Sequence, residues 1–160
     1  MIARLIGTVC YVGYLRPAPG TWGSAVAVPL AWLLWLIGGW VLLLIGCLSA
    51  FFKGWWATTR IIAEGDDHDP SEVVVDELVG QWIALMPVAI GASMAGASFW
   101  ALWPGVLTAF VAFRLFDIWK PGPIGWADRR GDALGVMLDD VFAGLAAAFV
   151  VMGAAYVAHG

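Results

Sequence analysis

Two acidic pairs in this 160-residue chain stand where carboxylates are costly. Asp76-Glu77 is followed by Gly80 and Asp139-Asp140 by Gly144, so each pair has a small residue about one helical turn further on. Both pairs sit at the mouths of strongly apolar runs, where an acid normally faces a bundle interior, a partner or an ion. The glycines let neighbouring helices approach closely. Clustered acids repel one another unless a cation intervenes. The ligands on offer are oxygens, with no Cys or His cluster, which favours a hard ion, Mg²⁺ ahead of Zn²⁺. The plain alternative is a set of solvated helix ends.

A second group is Phe113-Arg114-Leu115-Phe116-Asp117-Ile118-Trp119-Lys120-Pro121. Arg114, Asp117 and Lys120 are spaced i, i+3, i+6 along one helix face, and Pro121 is expected to end that helix at the membrane surface. The stripe is either a self-neutralising ladder or two phosphate ligands beside one metal ligand. The third group is Pro17-Ala18-Pro19-Gly20-Thr21-Trp22-Gly23-Ser24. Two prolines extend the chain, Gly20 permits a turn and Thr21 can cap the helix that follows. Free N–H groups and a partial positive charge at a helix start suit an anion; an ordinary capped start is the alternative. Cys10 and Cys47 lack metal-ligand spacing and read as small buried hydrophobes.

The elements that must hold these groups follow from composition. The chain is 62% hydrophobic and only 12% charged, with a mean hydropathy of +0.86, whereas a soluble domain has about a quarter of its residues charged. Lipid is therefore the natural solvent for much of its surface. The acidic balance, −4, argues against a nucleic-acid partner, which demands a basic stripe. The N-terminus lacks a small-residue cleavage site and reads as mature protein.

No charge lies between Arg16 and Lys53, none between Glu77 and Arg114, and none after Asp140 apart from a titratable His159. The first two gaps exceed one span of about 20 residues. Each has a turn signal near its middle, Gly38-Gly39 and the stretch from Gly91 to Ser98. The pattern predicts an all-α, polytopic bundle of about five helices, near 22–37, 40–62, 70–94, 101–119 and 136–158, plus a short N-terminal helix, in one domain over 1–160. Asp69-Pro70-Ser71-Glu72 offers the start of the third helix, with Pro at its first position, and Pro87 should kink it. Hairpins return the chain to the side it left, so all three charged clusters are expected on one face, which the positive-inside tendency makes cytoplasmic. Trp22, Trp55, Trp56, Trp119 and Trp126 fall near that face, and Trp40, Trp100 and Trp103 near the other.

Four segments in register carry a resemblance. Pro19-Gly20-Thr21-Trp22-Gly23-Ser24, Val75-Asp76-Glu77-Leu78-Val79-Gly80, Phe113 through Ile124, and Met137-Leu138-Asp139-Asp140-Val141-Phe142-Ala143-Gly144 are similar in order and spacing to the motifs of the phosphatidylglycerophosphatase A family. The likeness covers nearly the whole chain, roughly residues 7 to 155. It implies a Mg²⁺-dependent lipid phosphatase of the bacterial inner membrane that converts phosphatidylglycerophosphate to phosphatidylglycerol. The family's motif residues carry over to Thr21, Ser24, Asp76, Glu77, Arg114, Asp117, Lys120, Asp139 and Asp140. Two positions depart from the pattern: Tyr11 stands where the family tends to have glycine, and Arg16 where it tends to have proline. The run at 65–69 is variable in the family, so His68 is not taken as a ligand.

On this basis Asp76, Glu77, Asp117, Asp139 and Asp140 are expected to supply the metal ligands and a general base. Arg114 and Lys120 would hold the phosphate oxygens, with Thr21 and Ser24 completing the phosphate site. The expected partners are a phospholipid substrate and membrane lipids; the oligomeric state stays open. Two other functions compete. A divalent-cation transporter would place its acids near mid-span, and a non-catalytic scaffold gives no reason for Arg114, Asp117 and Lys120 to share a face with the acidic pairs.

Overall fold

The computed structural model describes residues 1–65 and 70–159. Asp66, Asp67, His68 and Asp69, and with them the cap expected at Asp69, lie outside the described residues. Every described element is helical: α1 (Ile2–Gly7), α2 (Pro19–Glu64), α3 (Val75–Ala95), α4 (Trp103–Trp119), α5 (Pro123–Asp128) and α6 (Ala133–His159), with 3-10 turns at Val12–Tyr14 and Phe99–Leu102. Four of these, the 46-residue α2 included, are long and apolar enough to cross a membrane.

α2 is two helices joined at Gly38-Gly39, where the backbone leaves helical geometry (φ 64°, ψ −163° at Gly39), a region open essentially to glycine. The chain folds back there, because Gly46 lies against Leu34. Both limbs pack on α3. Trp82 donates its indole N–H to the Ala27 carbonyl at 2.8 Å, and Trp35 donates to the Ala89 carbonyl at 3.0 Å, so the first limb runs with α3. Cys47 faces Val79 and Gly54 faces Val75, so the second limb runs against it. The expected hairpin is present, and the bundle has one short helix more than anticipated, α5.

Two sequence expectations fail locally. α3 begins at Val75, not at Pro70. Val73 and Val74 are buried, and the Val74 N–H donates to the Gly7 carbonyl at 2.8 Å, so docking on α1 holds this stretch out of the helix. Cys10 is exposed, while Cys47 is buried as expected; Cys10 lies in a left-handed turn formed by Val9, Cys10 and Tyr11. Pro87 sits inside α3 without ending it, as prolines in membrane helices do when neighbours resatisfy the backbone.

α3 is the hub. It contacts α2, α4 and α6, and its inward residues Leu85, Val88 and Ala89 are buried beside Val106, Ala109 and Ala147. The described charged residues from all three clusters meet at one end: Gly7 packs on Ile61, Gly20 on Glu77 and Arg114, and Lys120 on Asp139. Trp22, Trp55, Trp56, Trp119 and Trp126 are exposed near that end, and Trp100 and Trp103 at the other.

Candidate functional site

The charged end holds a cavity of about 270 Å³. Pro70, Ser71 and Val73, ahead of α3, line part of it, and four helices deliver the rest. α2 contributes its first turn at Ala18, Pro19 and Gly20; α3 contributes Asp76 and Glu77; α4 contributes Arg114 and Asp117, with Lys120 just beyond its end; and α6 contributes Asp139 and Asp140.

Close helix contact sets their spacing. At Gly80 a Cβ would lie 2.6 Å from the Asp140 carbonyl oxygen, and at Gly144 one would lie 3.0 Å from the Gly80 carbonyl carbon. α3 and α6 therefore cross backbone to backbone, which puts Asp140 beside Asp76 and Glu77. Ligand oxygens of these three lie within 4.8 Å of one another. Gly20 abuts the Glu77 carboxylate and Arg114, again leaving no room for a side chain.

The acids are deeply set. Asp76 is 7% exposed, Asp139 6% and Asp140 2%. Glu77 Oε2 and Asp140 Oδ1 are buried with no hydrogen-bond partner. Buried polar atoms are normally satisfied, and two orphaned carboxylate oxygens facing a third carboxylate fit a hard divalent cation. The charge balance agrees, since five carboxylates share this cavity with two cations.

Asp117 and Asp139 are placed differently. Arg114 Nη1 pairs with Asp117 at 2.6 Å, and Lys120 Nζ pairs with Asp139 at 2.9 Å. Lys120 also donates to Asp128 of α5. Burial alone would lower the pKa of Lys120, but the Asp128 and Asp139 carboxylates outweigh it and raise it above the ordinary lysine value. Its backbone is left-handed (φ 49°, ψ 52°) at the end of α4, uncommon for a non-glycine residue and doubly so before proline.

The phosphate loop expected near Thr21 takes another form. α2 starts at Pro19, with Ala18 in the capping position and no side-chain cap. Thr21 is partly buried inside the first turn and outside the cavity wall. Ser24 is fully buried one turn further; its hydroxyl donates to the Gly20 carbonyl at 2.9 Å and accepts from Arg114 at 3.5 Å. The first turn itself faces the cavity, with the unpaired N–H groups every helix start carries.

Sequence reasoning missed two residues. Asp128, the second partner of Lys120, lies in a short helix with no periodic signal. Gln81 is fully buried with both amide atoms unpartnered; its signal was a polar residue one turn beyond Glu77 inside an uncharged run. Asp132 caps α6 by accepting the Gly135 N–H at 2.7 Å. Its hydrogen bonds from Arg130 and from that N–H hold its carboxyl below the usual range.

Fold and site together define the class: a protein whose described elements are all helical, four of them long and apolar enough to span a membrane, with an acidic pocket at one end whose carboxylates could hold a metal ion. The phosphatidylglycerophosphatase A family matches residues 5–155, and the chain belongs to that family. It is 36% identical to the phosphatidylglycerophosphatase A of Haemophilus influenzae over 90% of this chain and 83% of that one. It is 33% identical to the phosphatidylglycerophosphatase A of Escherichia coli over 83% and 72% respectively. A Bacteroides thetaiotaomicron protein provisionally named a phosphatidylinositol-3-phosphatase is 36% identical over 88% and 86%. No solved structure is significantly similar to the chain.

Proposed function

We propose that this protein hydrolyses the terminal phosphate monoester of phosphatidylglycerophosphate, releasing phosphatidylglycerol and inorganic phosphate, with Mg²⁺ as cofactor and its site at the cytoplasmic face of the bacterial inner membrane. The observation that carries the reading is the juxtaposition, in one cavity, of a buried carboxylate triad having orphaned oxygens with two cations suited to phosphate. Family membership supports the substrate, and the positive-inside tendency supports the face.

Asp76, Glu77 and Asp140 would hold the metal. Bound there, Mg²⁺ would supply charge neutralisation and Lewis acidity to a phosphate dianion that otherwise repels any attacker. Arg114 takes phosphate oxygens through its guanidinium, oriented by Asp117 and Ser24. Lys120 is oriented by Asp139 and takes another oxygen. The first turn of α2 adds N–H donors and the positive end of a helix. Proton transfer from water falls to Asp117 or Asp139, the cavity carboxylates outside the triad. The cavity opens where the helices end, so a lipid substrate can keep its acyl chains in the bilayer while its headgroup reaches the acids.

The test is phosphate release by the detergent-purified protein from phosphatidylglycerophosphate, with Mg²⁺ and with excess chelator, beside phosphatidylinositol 3-phosphate and a soluble phosphate monoester. Release from the first substrate alone, and only with Mg²⁺, is the expected result. Equal turnover of the soluble ester, or turnover in chelator, would overturn it.

A further inference from the structure

Lys120 is held from two sides by unequal partners. Asp139 lies inside the cavity with its side chain 8% exposed; Asp128 lies outside the cavity lining with its side chain 37% exposed. The latter is not a loosely placed surface group. α5 buries Ile124, Gly125 and Ala127, and Gly125 packs so closely on the end of α4 that a Cβ there would lie 2.6 Å from the Lys120 carbonyl oxygen. A packed helix thus delivers Asp128 to the ammonium of Lys120, which stands at the left-handed end of α4.

We propose that Asp128 is a built-in competitor for the substrate phosphate at Lys120, setting affinity for the phosphate group and easing the departure of inorganic phosphate; this rests on the assignment of Lys120 to phosphate made above. An ammonium has three N–H donors, and two are already committed to carboxylates. An arriving phosphate dianion must share or displace them. Asp128 is the partner that yields, because as the more exposed carboxylate it recovers water most readily. When phosphate leaves, Asp128 closes back on the ammonium and restores its second carboxylate contact. Asp139, nearly enclosed, keeps Lys120 aimed at the cavity throughout.

Asp128→Asn removes the charge and keeps the shape. With phosphatidylglycerophosphate in mixed micelles, KM and the inhibition constant of inorganic phosphate should both fall roughly two- to fivefold. Asp128→Glu, which keeps the charge, should stay near the native values. Asp128→Ser carries the same expectation as the Asn variant should that one fail to fold. If the neutral variants leave both constants unchanged or raise them while Lys120→Ala raises them, Asp128 merely braces Lys120 and the competitor role is overturned. If Lys120→Ala moves neither constant, the assignment of Lys120 to phosphate fails and this proposal goes with it.

Discussion

Asp117 and Asp139 are tied to the cavity's own cations, whereas Asp76, Glu77 and Asp140 face one another, and this separates two kinds of loss. Asp140→Asn should weaken binding of Mn²⁺, a paramagnetic substitute for Mg²⁺, by more than roughly tenfold and abolish phosphate release. Asp117→Asn should weaken Mn²⁺ binding far less than Asp140→Asn does, while raising KM and lowering kcat, because Arg114 loses one of its two orienting partners and the cavity one of its two candidate proton acceptors. Electron paramagnetic resonance of the ion, read beside the kinetics, checks both; equal loss of Mn²⁺ binding in the two variants would return Asp117 to the ligand set. A second residue-scale prediction concerns Tyr11, which has φ +71° where the resembled family tends to carry glycine. A left-handed non-glycine residue costs about 1–2 kcal/mol, so Tyr11→Gly should raise stability in detergent by about 1 kcal/mol, seen as a higher thermal midpoint. At this scale the sequence was most informative about residue types. Carboxylates and cations cannot be left in hydrocarbon, so their presence beside apolar runs pointed to one shared site. It said little about pairing, since which acid binds which cation depends on crossings that no local spacing encodes.

Helices place these residues only as accurately as they cross, and the α3–α6 crossing is the tightest constraint on the triad. Gly144→Ala would set a methyl group against the Gly80 backbone. Backbone cannot rotate away as a side chain can, so α3 and α6 must separate. Overpacking of this kind costs about 1–3 kcal/mol, and a shift approaching 1 Å in a catalytic group can cost on the order of 10²-fold in rate. The expected outcome is a lowered thermal midpoint together with a fall of at least roughly tenfold in both kcat and Mn²⁺ affinity. A variant that loses stability alone, with kcat intact, would show that the crossing does not set the triad. Element boundaries were legible where lipid dictates them. The Gly38-Gly39 turn follows from an uncharged stretch too long for one span, and α4 ends where Trp119, Lys120 and Pro121 meet the surface. Legibility failed where tertiary docking decides: Val73 and Val74 belong to α1's packing surface and delay α3, and α5 is too short to carry a period.

Among the described residues the Asp, Glu, Lys and Arg side chains are gathered at one end, while the centre is filled by Leu85, Val88, Ala89, Ala109 and Ala147. A cation path would need polar groups along the bundle, yet no charged residue lies between Glu77 and Arg114 or between Asp140 and His159. The arrangement suits chemistry at one membrane surface better than transport through it. Which surface is a matter of insertion, governed by the basic residues flanking the spans: Arg4, Arg16, Lys53, Arg60, Lys120, Arg129 and Arg130 all belong to the clusters at the cavity end. That end should therefore face the cytoplasm, as the proposed function requires. Cysteine labelling distinguishes the two orientations. In a background with Cys10→Ser and Cys47→Ser, Ala97→Cys samples the turn between α3 and α4, and Arg129→Cys samples the cavity end. A membrane-impermeant maleimide applied to spheroplasts should label the first and spare the second, and permeabilisation should expose both. The opposite pattern would put the acidic cavity outside the cytoplasm and remove the ground for assigning it a substrate on the inner leaflet.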